Sequence, residues 1–217
     1  MKSTIYKIIM ALGLTLSAAN SQAALYHADI AIDPALYSSS SLTAPFLLDF
    51  QLNSGGSTVS NNVTLSDIIF SGGTAILGST TFGTATGDLT TTVTLADDAT
   101  NAFNEFFQAF TNGVNHISFN IDITTNFTSG APDLFAVALL DSSAGFPQVP
   151  TTDPLGLSLI TLTLGNSAVA NAYAGTGIAT GVNAAVASVP LPGAVWLFGS
   201  ALVSLVGTHQ RKRKLTL

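Results

Sequence analysis

Two stretches of this chain carry an apolar side chain at every second position, and this periodicity restricts the fold more than any other feature. Residues 46–52 do so with Phe and Leu, and residues 117–123 with Ile and Phe. Successive side chains of a β-strand point to opposite faces of a sheet, so each stretch is expected to be a strand with one buried and one solvated face. The pattern favours antiparallel sheets over a helical fold.

Comparable segments recur through most of the chain, separated by glycine-containing turns. The further strand candidates are residues 25–32, 63–70, 89–95, 134–140 and 155–164. About seven to nine short strands at this spacing are typical of an antiparallel β-sandwich. We therefore predict a mostly β domain over residues 24–164, a sandwich of jelly-roll-like type.

One segment departs from the period of two. Phe103, Phe106, Phe107 and Phe110 are spaced as one face of a helix. We predict one short helix here, which closes an end of the sandwich and packs its four phenyl rings between the sheets.

The composition changes after residue 164. Residues 165–188 are mostly Ala, Gly, Asn, Thr and Val, with no charge and a single Tyr. So little bulk predicts a flexible linker rather than part of the core. A strand around residues 168–172 is the alternative.

The charges of the chain are sorted by position. All six Lys and Arg residues lie at the two ends, and all twelve Asp and Glu residues lie between residues 29 and 153. Lys2 and Lys7 precede the apolar residues 8–19, which are too few to span a membrane as a helix, and small residues follow them. We predict a signal peptide over residues 1–23, with signal peptidase cutting between Ala23 and Ala24.

A second apolar run precedes the other basic cluster. Residues 191–207 would be about 25 Å long as a helix, which is the short end of a membrane span. Arg211, Lys212, Arg213 and Lys214 follow, and the positive-inside rule places them in the cytoplasm with the body outside. We predict a single C-terminal transmembrane helix, either a plain anchor or part of a sorting signal.

This C-terminal segment begins with Val189, Pro190, Leu191 and Pro192, followed by Gly and then AVWLFGS. The motif, the apolar run and the basic tail together resemble the PEP-CTERM sorting signal, although that family usually has Pro-Glu-Pro at the central triplet. The resemblance implies that residues 189–214 are recognised and cut by an exosortase. It also implies a Gram-negative bacterium, an inner-membrane intermediate, and a final place at the cell surface or in the extracellular matrix.

The body is also similar to a group of small exported PEP-CTERM proteins of uncharacterised function. The segments LDFQLN (48–53) and AFNEFFQAF (102–110) carry this likeness. It implies export and surface sorting, and it brings no catalytic residues.

Composition excludes several kinds of chemistry. The chain has no cysteine, which rules out disulfides and thiolate sites. Proteins bind nucleic acid through Lys and Arg side chains, and the body has neither. Its histidines are His27 and His116, its one glutamate is Glu105, and no spacing marks a nucleophilic triad or a glycosidase pair. We predict no enzymatic activity and no nucleic-acid partner.

The aspartates leave one cofactor open. Calcium prefers hard oxygen ligands, and Asp97, Asp98, Asp133 and Asp153 are the candidates in loops. The alternative is that these aspartates only cap turns and face solvent.

Two functions fit an exported body of this composition. The first is a non-catalytic structural or interaction protein of the cell surface or matrix. The second is a lectin-like module that binds extracellular polysaccharide, with or without calcium. Exposed aromatic side chains on one face of the sandwich would favour the second.

Overall fold

The computed structural model describes residues 22–56, 60–98 and 100–189 of the 217-residue chain. These residues form two six-stranded sheets in which every pair of neighbouring strands is antiparallel. The strands are β1 (Gln22–Ile32), β2 (Leu47–Asn53), β3 (Asn62–Ser71), β4 (Ala75–Phe82), β5 (Thr86–Gly87), β6 (Val93–Ala96), β7 (Phe103–Phe110), β8 (His116–Thr125), β9 (Asp133–Leu140), β10 (Ile160–Leu164), β11 (Ala168–Ala172) and β12 (Val182–Ser188).

The two sheets pack face to face as a sandwich. Sheet A has the strand order β12-β1-β8-β3-β6-β5, and sheet B has the order β11-β10-β9-β2-β7-β4. Strand β8 contains residues 117–123, and β2 contains residues 47–52 of the other alternating stretch, with Phe46 directly before it; the alternating apolar side chains of both stretches are buried between the sheets. The predicted mostly β sandwich is confirmed.

Phe50 of β2 lies at the centre of the core. Its ring meets that of Phe119 on sheet A edge to face, with 5.5 Å between ring centroids. On sheet B it stacks against Phe106 at 6.2 Å and Phe135 at 6.3 Å. These four rings are completely buried, so they join the two sheets through the middle of the sandwich.

The predicted helix is wrong: the segment with the four Phe residues is strand β7. Its burial alternates strictly, so Phe106 and Phe110 enter the core while Phe103 and Phe107 lie on the outer face of sheet B. The other two inward positions are polar: Asn104 precedes Phe106, Gln108 lies between the two core rings, and both are buried. Among the described residues the only helical elements are two short 3-10 turns, at Pro34–Ser38 and Gly177–Ala179.

Two buried amides make this strand possible. Gln108 accepts from the backbone N–H of Leu89 at 2.9 Å and donates to the carbonyl oxygen of Ile76 at 2.8 Å. Asn104 accepts from the backbone N–H of Thr84 at 2.7 Å. Because both amides find hydrogen-bond partners within residues 76–89, the strand buries them without leaving a polar group of either side chain unsatisfied.

The predicted flexible linker over residues 165–188 is also wrong. Strand β11 pairs with β10 at the edge of sheet B, which agrees with the alternative strand at residues 168–172, and β12 pairs with β1 along seven residues of sheet A. Val182 and Ala179 are fully buried. Alternate small residues of these strands pack against the core, among them Ala170 and Ala184, and pairing with β10 and β1 holds the two strands in place.

The two ends of the described chain meet at one corner of sheet A. Tyr26 pairs with Ser188, and the N–H of Val189 donates to the carbonyl oxygen of Leu25 at 2.8 Å. The predicted signal-peptidase site, between Ala23 and Ala24, falls within the first residues of β1. Val189, the first residue of the predicted sorting motif, directly follows β12.

Most of the two predicted terminal signals lies outside the described residues. This holds for residues 1–21 of the signal peptide, for Pro190, Leu191 and Pro192, and for the predicted transmembrane helix. It holds also for the basic tail, Arg211, Lys212, Arg213 and Lys214. Within the described part of the chain, no helix has the length and apolar character needed to cross a membrane.

The ends of the sandwich differ in construction. At one end, where β1 begins and β12 ends, Asn61 connects the sheets; we call it the Asn61 end. At the other end, β9 leads into the loop at residues 141–148, which contains Phe146; we call it the Phe146 end. The chain therefore leaves the sandwich at the end opposite to this loop.

Candidate functional site

A groove lies on the outer face of sheet B, beside the loop of the Phe146 end. Its volume is about 450 Å³. Strands β2 and β7 form its floor, β4 contributes one wall, and the loop after β9 forms the other. The lining residues are Asp49, Gln51, Phe82, Glu105, Phe107, Leu140, Gly145, Phe146, Pro147 and Gln148.

Two carboxylates and one amide occupy its floor. Gln51 follows Asp49 by two residues on β2, so both side chains point to the same face, and Glu105 lies directly across from Gln51 on β7. The Nε2 of Gln51 donates to Oδ2 of Asp49 at 2.7 Å and to Oε1 of Glu105 at 3.1 Å. A single amide nitrogen therefore holds both acids in place.

Asp49 is in an unusual state for a carboxylate. Its exposed fraction is 0%, and its Oδ1 has no hydrogen-bond partner among the described residues. Burial raises the pKa of Asp49 from 3.8 to about 7, the negative charge of Glu105 adds to this, and the bond from Gln51 opposes it. Burial likewise raises the pKa of Glu105, again opposed by the bond from Gln51.

Aromatic side chains surround the acids. The rings of Phe107 and Phe146 are tilted against each other with centroids 5.6 Å apart. Phe146 is 46% exposed and Phe82 is 53% exposed, so both present apolar ring surface at the mouth of the groove. Phe146 also has a φ of 47°, a conformation that is strained for a bulky side chain.

These features make a shallow site with a flat apolar rim and an acidic floor. No protein-family model, curated protein or solved structure matches this chain. The chemistry of the groove therefore has to be read from its own residues. An apolar rim around a few convergent polar groups is the usual composition of a small-molecule site.

The calcium candidates do not assemble into one site. Asp97 and Asp133 approach each other at the Asn61 end, where Asn61 bonds to both. Burial raises the pKa of Asp97, and the neighbouring Asp133 contributes to this. The oxygens of Asp133 already accept from the side chain of Asn61 at 2.6 Å and from the N–H of Gly55 at 2.8 Å.

The other two candidates cap separate turns. Asp98 accepts from the hydroxyl of Thr100 at 2.6 Å and from the backbone N–H groups of Thr100 and Asn101 at 2.7 and 2.8 Å, and these bonds hold its pKa well below the usual range. Asp153 accepts from Ser158 at 3.1 Å in the loop before β10. Within residues 22–56, 60–98 and 100–189, no three His, Cys, Asp or Glu side chains form a group that could hold a metal ion.

The two histidines of the body lie on the outer face of sheet A. His116 Nε2 is 3.1 Å from Oδ1 of Asp29, and His27 Nε2 is 3.6 Å from Oδ2 of the same residue. All three side chains are substantially exposed. This cluster is on the opposite face of the sandwich from the groove.

Proposed function

We propose that this chain is an exported, non-catalytic protein of the cell surface or extracellular matrix, and that its body is a lectin-like module that binds extracellular polysaccharide. The observation that carries this choice is the groove on sheet B, with exposed Phe82 and Phe146 beside two carboxylates. Pyranose rings have apolar faces and polar edges, which match flat aromatic surface and hydrogen-bonding groups.

The direction in which the chain leaves the sandwich supports the export part of the proposal. The predicted signal-peptidase site lies on β1, and the predicted exosortase motif begins directly after the neighbouring strand β12, both at the Asn61 end. A tether at this end would direct the Phe146 end, with the loop that forms one wall of the groove, away from the membrane. The PEP-CTERM resemblance and the predicted transmembrane helix remain part of this proposal.

The strand order supports the finer description of the sandwich as jelly-roll-like. From β1 to β4 the chain passes from one sheet to the other at each step. Sheet A contains the order β1-β8-β3-β6, and sheet B, which faces it, contains the order β2-β7-β4. Jelly rolls occur among lectin domains, but a shared architecture alone does not assign a function. The groove is therefore the stronger argument.

A binding role fits the acid pair better than a catalytic one. A glycosidase places two carboxylates on either side of the scissile bond. Here the two acids share one amide on a single floor, and Asp49 is entirely enclosed. An enclosed Asp49 does not face a glycosidic bond from the open side of the groove.

A glycan array probed with the full chain in detergent tests the binding role. We expect retention of a subset of glycans, and we expect Phe146→Ala to weaken it about tenfold because an exposed ring is lost. Phe103→Ala is the matched control, since Phe103 is 44% exposed on the same face but does not line the groove. Equal losses in both variants, absence of glycan binding, or release of shortened glycans would each contradict the proposal.

Mass spectrometry of the mature protein from its own host tests the sorting. The expected product begins at Ala24 and ends near Pro190, Leu191 or Pro192. A mature chain that still carries Arg211 to Lys214 would reject exosortase processing and leave a plain anchor.

A further inference from the structure

We infer that the groove on sheet B recognises a saccharide that carries a free amino group, bound as its ammonium between Glu105, Asp49 and the surrounding aromatic rings. This inference rests on the proposed function and specifies the class of saccharide. It goes beyond a general affinity for polysaccharide because it assigns the charge of the ligand.

The unpaired oxygen of Asp49 is the first reason. A buried polar atom without a partner is rare in folded proteins, and an unsatisfied carboxylate oxygen is especially unfavourable. Oδ1 of Asp49 is such an atom, and Asp49 belongs to the floor of the groove. A cation bound above this floor places positive charge beside this unpaired oxygen.

The sign of the charge is the second reason. Asp49 and Glu105 are the only titratable side chains among the described residues that line the groove. The strand on the other side of β2 presents Ala136 and Ala138 beside them, and no Lys or Arg exists between residues 8 and 210. Two adjacent acids without a basic partner repel each other, and a ligand cation relieves this repulsion.

The aromatic rim is the third reason, and it favours a sugar amine over other cations. An ammonium group is attracted to the face of a phenyl ring within about 6 Å. Phe82 and Phe146 also offer flat apolar surface on which a ring can lie. A hydrated metal ion has no apolar ring face to place against this surface.

The position of the groove on the sheet argues against an extended peptide. Peptides commonly bind by adding a strand to a free sheet edge. The groove instead lies over β2 and β7, and both strands are already paired on each side. The backbone groups of these two strands are therefore not available to a ligand, which contacts their side chains instead.

Glu105 meets the ligand first. Its side chain is partly exposed at the floor, whereas Asp49 is enclosed beside it. Glu105 is therefore the direct contact of the ammonium, and Asp49 acts from behind as a second negative charge. Because a cation favours the ionised form of Asp49, binding releases protons from the protein when the pH lies near or below the pKa of that residue.

Calorimetry on the full chain in a nonionic detergent tests the inference, at a pH slightly below neutral. The probes are a β-1,4-glucosamine tetrasaccharide, its fully N-acetylated counterpart, cellotetraose and tetralysine. We expect the glucosamine oligomer to bind at least about tenfold more tightly than the other three, which corresponds to one charge-assisted contact.

Two variants locate the site. Glu105→Gln is expected to remove the preference for the amine, whereas Asp122→Asn, which removes the same charge from an exposed position on sheet A, is expected to retain it. Equal loss in both variants would mean that net charge alone attracts the amine and would overturn the inference. Tetralysine binding as tight as the sugar amine would overturn the saccharide class.

The outcomes also separate this inference from the proposed function. Tight binding of the N-acetylated or neutral tetrasaccharide without preference for the amine would overturn the inference and leave the polysaccharide role standing. Failure of every saccharide to bind, in the calorimeter and on the glycan array, would overturn both.

Discussion

Asp49 and Glu105 lie on adjacent strands of sheet B, and both accept a hydrogen bond from the same nitrogen of Gln51, at 2.7 and 3.1 Å. Asp49 is enclosed and carries an oxygen without a partner, whereas Glu105 is partly exposed. The protein therefore keeps a strained acid pair under an aromatic rim. Such a pair is unfavourable for stability, which makes it testable without knowledge of any ligand.

Asp49→Asn should stabilise the protein in a pH-dependent way. The pKa of Asp49 is about 7 in the folded protein, against 3.8 as its ordinary value, so its neutral form is the one that folding favours. Stability is therefore greatest below about pH 4 and falls as the pH rises through 7, with a maximum loss of roughly 4 kcal/mol. We expect the Asn variant to match the native chain near pH 4 and to exceed it near pH 8.

Urea unfolding at several pH values measures this difference. Asp122→Asn serves as the control for net charge. The account is contradicted if Asp49→Asn is less stable than the native chain at pH 8, because loss of a paired, stabilising carboxylate would give that result.

Gln51→Leu should have the opposite effect. This substitution keeps most of the volume but removes the donor that lowers the pKa of both acids. The two carboxylates then face each other without a shared partner, and we expect a loss of about 1–3 kcal/mol above pH 7. The loss should be smaller near pH 5, where Asp49 is protonated, and a loss that does not depend on pH would argue against the shared-amide role.

Asn61→Ala should loosen the opposite end of the sandwich. The side chain of Asn61 donates to Asp133 at 2.6 Å and to the carbonyl oxygen of Asn126 at 3.1 Å, and it accepts from the N–H of Asn126 at 2.7 Å. Asn61 is 1% exposed, so water cannot replace these bonds, and we expect a loss of about 2–4 kcal/mol. Asn62→Ala, at the neighbouring exposed position, is expected to change stability by less than about 0.5 kcal/mol.

The same network predicts the response to calcium. Both carboxylate oxygens of Asp133 accept hydrogen bonds, from Gly55 and from Asn61. Asp98 and Asp153 accept hydrogen bonds in separate turns. We therefore expect the melting temperature of the full chain to be the same with excess calcium and with a chelator. A calcium-dependent rise of several degrees would show that these aspartates rearrange into a site.

Hydrogen exchange distinguishes a C-terminal strand from a linker. The N–H of Val189 donates to Leu25 at 2.8 Å, and that of Ala184 donates to Tyr173 at 3.2 Å. We expect both amides to be protected to an extent comparable with those of β1, whereas a flexible linker would exchange within the dead time. Uniformly fast exchange across residues 182–189 would remove β12 from the sandwich.

The sequence was sufficient for the sandwich because most of its strands bury one face. Residues 46–52 and 117–123 show the period of two plainly, and both stretches are central strands. The edge strand β12 was not predicted, and β11 was given only as an alternative to a linker. Both strands consist mostly of small residues, Ala, Asn, Val and Ser, which give little periodic hydrophobic signal, and backbone pairing contributes much of what holds them.

The groove on sheet B was not predicted because of the same residues that suggested a helix. The prediction of a helix assumed that the rings of Phe103, Phe106, Phe107 and Phe110 are all buried on one face. In the strand, Phe107 lies outside and becomes part of the groove, while the inward amides of Asn104 and Gln108 are satisfied by distant backbone groups. Such long-range partners cannot be read from local spacing.

The acid pair was equally hidden. Asp49 and Glu105 are more than fifty residues apart, and only the register of β2 against β7 brings them to one amide. The one available signal was the placement of Asp49 and Gln51 on a strand whose alternate positions are all apolar. That pattern predicts a solvated face, whereas the loop at residues 141–148 in fact covers it.

The most direct test of the acidic groove is the titration of the Asp49 carboxyl carbon by NMR in the full chain, with and without the glucosamine tetrasaccharide. We predict a midpoint near 7 in the free protein, as the burial beside Glu105 requires, and a clear fall when the saccharide is added. A midpoint in the ordinary acidic range, unchanged by the saccharide, would contradict both the strained acid pair and its role in binding.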